Sequence, residues 1–363
     1  MKRLFLRGSL FLIPAICAIA VSVLASGSTP DSKAFRVTTS PRYDRNPSFF
    51  KADDGTYWLF FARGRNSIGI RGMNGYDPDY DSYDIYYKTA RNIQALQRAT
   101  EKLLPGSDQV TFNTQRDVAA LQASDGRIWV FTSSGYAPSS DPRVFYYTYE
   151  GSAWSGPTSI ENTAYAGHIH ALENNGQIYV FFDAWDYQLK VTRWNGVNWS
   201  SPAMISAKAT LAKATVEGGM FYAVWSYVDM NANEYGKYIG LSTSADGMTW
   251  TNHGEIASWP GATNWDPVLA KDGRIFRLFW APDAGVEGQF IAMSTSENPT
   301  SPASWSTPVK VTTASYGAIT WWDFWPQVYS DGLSYLAYTS ERNDAGTNMG
   351  DANIWMMHIK NNL

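Results

Sequence analysis

One short pattern recurs six times along this 363-residue sequence and restricts the fold more than any other feature. Each copy has an apolar segment, a turn that contains glycine, and a second apolar segment that ends in aromatic residues. The turn dipeptides are Asp54-Gly55, Asp125-Gly126, Asn175-Gly176, Gly218-Gly219, Asp272-Gly273 and Asp331-Gly332. Because Asp-Gly and Asn-Gly tolerate the positive φ angles of tight hairpin turns, each copy predicts a β-hairpin.

A further strand, and often a tryptophan-bearing turn, follows each hairpin, as in 146–157, 191–202 and 240–250. Each unit therefore predicts about four antiparallel strands, and the units are spaced at or above the length typical of propeller blades. The segment 90–104 comes closest to a helical period and predicts one amphipathic helix or a loop excursion. We therefore predict an all-β fold, a six-bladed β-propeller of four-stranded antiparallel blades.

The two ends of the chain are predicted to meet. The last unit ends with a third strand at 352–360, whereas 34–40 is a strand without a unit of its own. Pairing this N-terminal strand with the last unit would close the ring and remove an open sheet edge. The predicted organisation is a signal peptide over 1–25, a linker over 26–33 and a β-propeller domain over 34–363.

The N-terminal segment has the pattern of an export signal: basic residues, an apolar run over 10–24, and small residues after it. The run is short for a membrane span, and an uncleaved anchor is the alternative. Cys17, the single cysteine, lies in this segment, so the mature chain has to be stable without disulfides. We predict a secreted, periplasmic or cell-surface protein, monomeric and without membrane contact after cleavage.

Charge and aromatic content narrow the class of partner. The net charge of −4 argues against a nucleic-acid-binding protein. Most of the 16 Trp, 22 Tyr and 17 Phe are expected to pack on strands. Even so, 16 tryptophans exceed what packing usually needs, and flat rings serve as platforms in sugar-binding clefts. The predicted partner is an oligo- or polysaccharide.

The predicted topology also locates a site, because the first strand of every blade in a propeller lines the central channel. Charged and polar groups that converge there among aromatic rings are typical of a ligand site. The candidate catalytic residues at these strand starts are His168, His170, Asp266 and Asp323. The candidate substrate-binding residues there are Arg45, Arg116, Asp117, Lys213, Trp265, Trp322 and Trp325.

His168 and His170 lie two residues apart on one predicted strand, so their side chains face the same side. Histidines that titrate near neutral pH act as general acids or bases, which makes both candidates for catalysis. The alternative is that they are satisfied packing groups. A two-histidine metal site lacks an evident third ligand, and no metal is predicted there.

The first unit resembles the sialidase (neuraminidase) superfamily of BNR, or Asp-box, propellers. Arg45-Asn46-Pro47 is similar to the family's Arg-Ile-Pro motif, and Phe-Ala-Arg-Gly-Arg at 61–65 is similar to its Phe-Ala-Glu-x-Arg segment. The segment 82–90 resembles the family's Asp-Ile-Val-x-Arg-Arg-Ser strand. The segment 242–250 resembles an Asp-box turn with Ala245 where the motif has aspartate.

The resemblance implies that Arg45 and Arg65 are two arginines of the site, the first of them binding a substrate carboxylate. Guanidinium groups suit this because they donate two parallel, charge-assisted hydrogen bonds. A third arginine is implied; Arg116 is favoured over Arg277 and Arg342 because it starts an inner strand.

The family's acid/base aspartate lies on a loop after this arginine pair, where Asp79 best matches its spacing. The loop has two other readings. Asp77, Asp79 and Asp81 would suit a structural calcium ion, or they form a solvated acidic loop. No other cofactor is predicted.

The sequence departs from the family at the nucleophile, a tyrosine assisted by a fourth-blade glutamate. Lys213 or Ala212 stands in the inner-strand register there, and Glu217 lies nearer the turn. Tyr316 and Tyr329 are candidate nucleophiles outside any motif.

Three functions are consistent with the sequence. The first is a sialidase-like glycoside hydrolase that acts on an acidic, carboxylate-bearing glycan. The second is a polysaccharide lyase on uronate-containing glycans that uses His168 or His170 and a tyrosine. The third is a lectin-like propeller that binds glycans without catalysis, because one fold hosts many functions.

Overall fold

The protein forms a ring of six four-stranded antiparallel sheets, the blades I to VI. The structure, a computed structural model, describes residues 34–65, 83–109, 117–133, 143–184, 186–285, 288–312, 315–316, 319–320, 322–328, 335–341 and 352–359. The predicted all-β, six-bladed propeller is confirmed.

Blades I to V each use four consecutive strands, and the first strand of each lies at the central channel. The strand β1 (Phe35–Arg36) belongs to blade VI. Blade I has β2 (Asp44–Lys51), β3 (Tyr57–Gly64), β4 (Tyr83–Ala90) and β5 (Lys102–Leu103). Blade II has β6 (Asp117–Gln122), β7 (Ile128–Ser133), β8 (Val144–Tyr149) and β9 (Trp154–Ser159). Blade III has β10 (Ile169–Asn174), β11 (Gln177–Asp183), β12 (Leu189–Trp194) and β13 (Ala203–Ser206).

The remaining blades follow the same order. Blade IV has β14 (Ala209–Glu217), β15 (Met220–Asp229), β16 (Glu234–Ser244) and β17 (Thr251–Ala257). Blade V has β18 (Thr263–Asp272), β19 (Ile275–Asp283), β20 (Ala292–Ser296) and β21 (Val309–Lys310). A two-stranded ribbon, β22 (Ser315–Tyr316) and β23 (Ile319–Thr320), precedes blade VI, which has β24 (Asp323–Val328), β25 (Tyr335–Ser340) and β26 (Asn353–His358).

The N-terminal strand closes the ring as predicted. β1 pairs antiparallel with β26, with Phe35 opposite Met356, and supplies the fourth strand of blade VI. The amide of Val37 donates to the carbonyl of Ile354 at 2.7 Å. Buried Lys88 of blade I donates its ammonium to the carbonyl of Val37 at 2.8 Å. The closing strand is therefore fastened to both neighbouring blades.

The predicted tight turns with positive φ angles form at two of the hairpins, whereas two others have longer loops. Asn175-Gly176 and Gly218-Gly219 are two-residue turns with positive φ at both positions. Asp54-Gly55 and Asp125-Gly126 instead lie in five-residue loops, where only the glycine has a positive φ. There the aspartate accepts a hydrogen bond two residues on, as Asp54 does from the amide of Thr56 at 2.8 Å.

Packing between neighbouring blades forms the core and absorbs most of the aromatic residues. The cluster between blades I and II contains Trp58, Phe60 and Tyr147, all buried. Tryptophans at or just before the starts of fourth strands pack on the neighbouring aromatic residues. Trp154 meets Phe60 edge-on, with ring centroids 6.1 Å apart, and Trp199 meets Phe131 in the same way at 5.9 Å. Such edge-to-face contacts suit the ring quadrupoles.

The turn of blade IV that resembles an Asp-box does contain a structural aspartate, at 246 instead of 245. The carboxylate of Asp246 accepts from the amides of Thr249 at 2.7 Å and Met248 at 2.8 Å. These hydrogen bonds hold the pKa of Asp246 well below its usual range. The turn presents Trp250 to Phe181, whose ring it meets edge-on at 5.9 Å.

The predicted helix at 90–104 is wrong in its length. Only one turn forms, α1 (Ile93–Leu96), capped by Asn92, whose side chain accepts from the amide of Ala95. The chain then returns to pair β5 with β4, so the fourth strand of blade I limits the helix. The alternative, a loop excursion, describes most of this segment. No helix among the described residues is long and apolar enough to cross a membrane.

We predict that Gly240→Ala destabilises the protein through one contact. A Cβ atom at 240 would lie 2.2 Å from the ring of Trp225, its cross-strand partner. We expect a loss of about 1–3 kcal/mol in the free energy of unfolding, measured by urea denaturation, because the core is overpacked. In a Trp225→Leu background the same substitution should cost far less. An equal cost in both backgrounds would contradict the proposed clash.

Candidate active site

The starts of the inner strands share a local distortion that positions the site. In four blades the register between first and second strands shifts by a β-bulge, and the residue at the bulge has a positive φ angle. These residues are Asn46 (φ 50), Leu211 (φ 56), Asp266 (φ 53) and Trp325 (φ 51). Left-handed backbone costs a non-glycine residue about 1–3 kcal/mol and is concentrated at functional sites.

Proline follows three of these bulge residues, as Pro47, Pro267 and Pro326. A bulge leaves backbone groups outside the ladder, and proline has no N–H group to leave unpaired there. A proline that recurs near the start of an inner strand is thus a sequence signal for these bulges. The bulges change the direction in which the side chains near the strand starts point.

Lys213, from blade IV, lies at the centre of the site. Its ammonium donates to the carbonyl of Pro326 in blade VI, which lies two blades further round the ring. Burial lowers the pKa of Lys213 to about 8, although the charges of Asp266 and Asp117 oppose this shift. Because these carboxylates come from blades V and II, the cation of blade IV interacts with groups from three other blades.

Arg45 and Asp117 form the part of the site between blades I, II and VI. The guanidinium of Arg45 lies 3.8 Å from the ring centroid of Trp325, a cation–π contact, and 3.9 Å from a carboxylate oxygen of Asp117. Asn46 donates its side-chain amide to the same oxygen of Asp117. The side chains of Arg45 and Asp117 are buried, yet Arg45 Nε has no hydrogen-bond partner among the described residues.

Asp266 is the carboxyl group with the most unusual surroundings. It is 5% exposed, and its Oδ2 accepts from the amide of Trp325 at 3.4 Å. Its Oδ1 is buried and has no hydrogen-bond partner in the described part of the chain. Burial raises the pKa of Asp266 to about 6, and the charges of Lys213 and His168 only partly offset it.

The two histidines have different environments. Nδ1 of His168 lies 3.0 Å from the carboxylate of Asp183, and the ring is partly exposed. His170 is turned against blade IV, where its Nε2 donates to the carbonyl of Ala214 at 2.9 Å. Burial, with the charge of Lys213, lowers the pKa of His170 to about 4, so this ring is neutral near pH 7. His170 therefore packs two blades together, and a catalytic role for it stays a prediction.

The structure places Arg65 with blade I's outer strands. Its guanidinium donates to the carboxylate of Asp84 at 2.7 Å and to the carbonyl of Asp108 at 3.4 Å. The preceding arginine, Arg63, makes a bidentate pair with buried Asp44 at 2.6 and 2.8 Å. Both arginines thus have carboxylate partners within the protein, and a substrate contact by Arg65 stays a prediction.

The remaining predicted residues fall into two groups. Trp265, Trp322 and Asp323 lie at the starts of blades V and VI. Trp265 donates to Thr263 Oγ1 at 3.0 Å, Trp322 packs on the core between these blades, and Asp323 is fully buried. The residues Asp77, Asp79, Asp81, Arg116, Tyr329 and Arg342 lie outside the described residues, as does the side chain of Tyr316.

Among the residues that the structure describes, no group of three His, Cys, Asp or Glu side chains could hold a metal ion. The predicted calcium loop lies outside that part of the chain. Its role therefore stays a prediction.

Asp183 and Thr210 are site residues that the sequence analysis missed. The signal for Asp183 is in the hairpin: the Asn175-Gly176 turn pairs Asn174 with Gln177. Counting outward from this two-residue turn puts 183 opposite His168. A buried aspartate directly across from a channel histidine could therefore have been predicted from the turn alone.

The six-bladed propeller is a fold that this chain shares with glycoside hydrolases of known structure. A Hadza microbial sialidase superposes with a TM-score of 0.60 at 14% identity, over 89% of this chain and 68% of that one. An α-L-arabinanase from Penicillium chrysogenum, complexed with arabinobiose, gives 0.59 at 13% identity, over 91% and 99%.

A protein of unknown function from Dyadobacter fermentans gives a TM-score of 0.63 at 14% identity, over 91% of this chain and 99% of that one. At such identities the likeness shows the fold alone. No protein-family model and no curated protein sequence matches the chain.

We predict that Asp266 makes the free energy of unfolding decrease as the pH rises from about 4 to about 6. The carboxyl group loses its proton near pH 4 when unfolded but near pH 6 when folded, so the folded state binds more protons in this window. Asp266→Asn lacks this effect. Relative to wild type, the variant should gain up to about 3 kcal/mol in the free energy of unfolding between pH 4 and pH 7.

Urea unfolding of both proteins at the two pH values measures this gain. Asp272→Asn, at the turn of the same hairpin, is the matched control and should show a much smaller change. A difference between wild type and Asp266→Asn that is constant with pH would contradict the prediction.

Proposed function

We propose that this protein is a glycoside hydrolase in which Asp266 protonates the leaving glycosidic oxygen. The observation that carries the proposal is the buried carboxyl group of Asp266 at the channel axis, with one oxygen unpaired among the described residues. A general acid has to hold its proton until the bond breaks. With its pKa raised to about 6, Asp266 holds a proton in mildly acidic solution.

A second carboxylate is available in the same cluster. Asp117 is 2% exposed and interacts, like Asp266, with the charge of Lys213. Glycosidases commonly use two carboxyl groups, and their separation determines the stereochemical outcome. The pair thus supports hydrolysis over simple sugar binding, since a lectin needs no carboxyl group with a raised pKa.

We infer further that the substrate is a glycan that carries a carboxylate. The guanidinium of Arg45 lies over the ring of Trp325, and its buried Nε lacks a hydrogen-bond partner among the described residues. An N–H group without a partner is costly, and a carboxylate oxygen would satisfy it. The sialidase and arabinanase neighbours support a carbohydrate substrate, because their folds resemble this one. The N-terminal segment supports secretion or a periplasmic location.

We predict that Asp266→Asn lowers kcat about 10²- to 10⁴-fold on glycosides with poor leaving groups. The loss should be much smaller on 4-nitrophenyl glycosides, whose leaving group needs little protonation. Aryl and alkyl sialosides and glucuronides provide the panel, with Asp272→Asn as the control. Equal losses on aryl and alkyl substrates would exclude Asp266 as the acid.

The same panel separates the alternatives. A lyase would release an unsaturated uronate that absorbs ultraviolet light. A lectin would bind the glycans with no turnover, and this binding would survive Asp266→Asn. Either outcome would overturn the proposal of a hydrolase.

We predict that Arg45→Lys raises KM for a carboxylate-bearing sugar about tenfold or more, because lysine cannot donate the two parallel hydrogen bonds. The methyl ester of the same sugar serves as the matched substrate, since it keeps the shape and loses the charge. The preference of wild type for acid over ester should shrink in Arg45→Lys. An unchanged preference would show that Arg45 does not bind the carboxylate.

A further inference from the structure

The ring of His168 is held by a buried acidic residue. Asp183, at the end of β11, is fully buried, and its Oδ2 lies 3.0 Å from Nδ1 of His168. The same oxygen accepts from the hydroxyl of Thr210 and from the amide of Leu211 at 3.3 Å. Three groups around one carboxylate oxygen fix the position of the carboxylate, and through it the orientation of the imidazole.

This contact determines which nitrogen of His168 can take part in proton transfer. A carboxylate only accepts hydrogen bonds, so Nδ1 carries a proton directed at Asp183. The basic lone pair is then on Nε2. The negative charge of Asp183 also stabilises the imidazolium that forms when Nε2 takes up a proton. A histidine arranged in this way has the features that a general base requires.

His168 is close enough to Asp266 for its charge to lower the pKa of that carboxyl group. The two residues start inner strands of blades III and V, which flank blade IV. In the described part of the chain, the charged and titratable groups around the pair include Asp183, Lys213 and Arg45. Tyr187 is a further one; its pKa is raised by burial and by the charges of Tyr235 and Asp183.

We propose that His168 is the general base of this enzyme and that Asp183 is its positioning residue; this rests on the proposed hydrolase function. Nε2 of His168 takes a proton from water while the water oxygen bonds to the anomeric carbon. The bond from that carbon to the glycosidic oxygen breaks, and this oxygen takes the proton of Asp266. The products are a sugar and an alcohol, and solvent returns the proton from His168 to Asp266. Such a single displacement inverts the anomeric centre.

Two variants test the base and its partner. His168→Gln should lower kcat at least 100-fold on the 4-nitrophenyl sialoside or glucuronide that wild type cleaves, since attack still needs a base. Asp183→Asn keeps an oxygen for the amide of Leu211 but removes the charge. It should lower kcat about tenfold and move the acid limb of the pH–rate profile to lower pH. His253→Gln, on the outer strand β17, is the matched control and should match wild type.

Two measurements keep the test independent of folding and of the substrate. Nitrogen-15 NMR of the imidazole rings, with His168→Gln used for assignment, should show the His168 proton on Nδ1 in wild type. Proton NMR during turnover should show the inverted anomer first. A proton on Nε2 instead, a retained anomer, or a kcat for His168→Gln within threefold of wild type would overturn the inference.

The outcomes for the two proposals are distinguishable. If Asp266→Asn loses activity while His168→Gln keeps it, the hydrolase stands and His168 is not its base. If neither variant loses activity, Asp266 and His168 both lose their assigned roles.

Discussion

The ammonium of Lys213 is the contact on which the arrangement at the axis depends. It reaches from blade IV to a backbone carbonyl of blade VI and lies among the carboxylates of blades II and V. Without this cation, Asp117 and Asp266 would be two buried carboxylates with much less charge compensation, which is costly in a low-dielectric interior. The charge of Lys213 also keeps the pKa of Asp266 from rising further. One cation therefore affects both the stability of the buried carboxylates and the acid strength of Asp266.

Two left-handed residues at the strand starts contribute to this site: Asp266, whose charge acts on Lys213, and Trp325, whose ring packs on Arg45. At Asp266 and Trp325 the bulge makes consecutive inner strands touch, since the amide of one donates to the carboxylate of the other. The backbone strain is tolerated because the blades on both sides are packed through buried aromatic rings such as Trp280 and Tyr338. Rigid blades thus carry a locally strained centre, as is common where geometry serves function.

The fold could be predicted from the sequence because it rests on local, repeated signals. Glycine turns, alternating apolar segments and the lone N-terminal strand each report structure within a few residues. The site could be predicted only where topology alone decides position, as for Lys213 and Asp266. Arg65 shows the limit: its motif neighbours suggested a substrate, but β4 supplies Asp84 as a partner. His170 likewise meets a carbonyl from another blade, a contact that no local pattern encodes.

The closing strand has a consequence for how the molecule can be made. Thr38 and Asn353, which touch at the seam of the ring, are 315 residues apart in the chain. During synthesis the first strand emerges long before its partner exists, so the circle has to stay open until the C-terminal strands are released. Contacts of such long range slow folding, and an incomplete ring exposes a bare sheet edge. Truncation of either terminus should therefore weaken the same contact, the one between blades VI and I, while blades II to V keep their strand pairing.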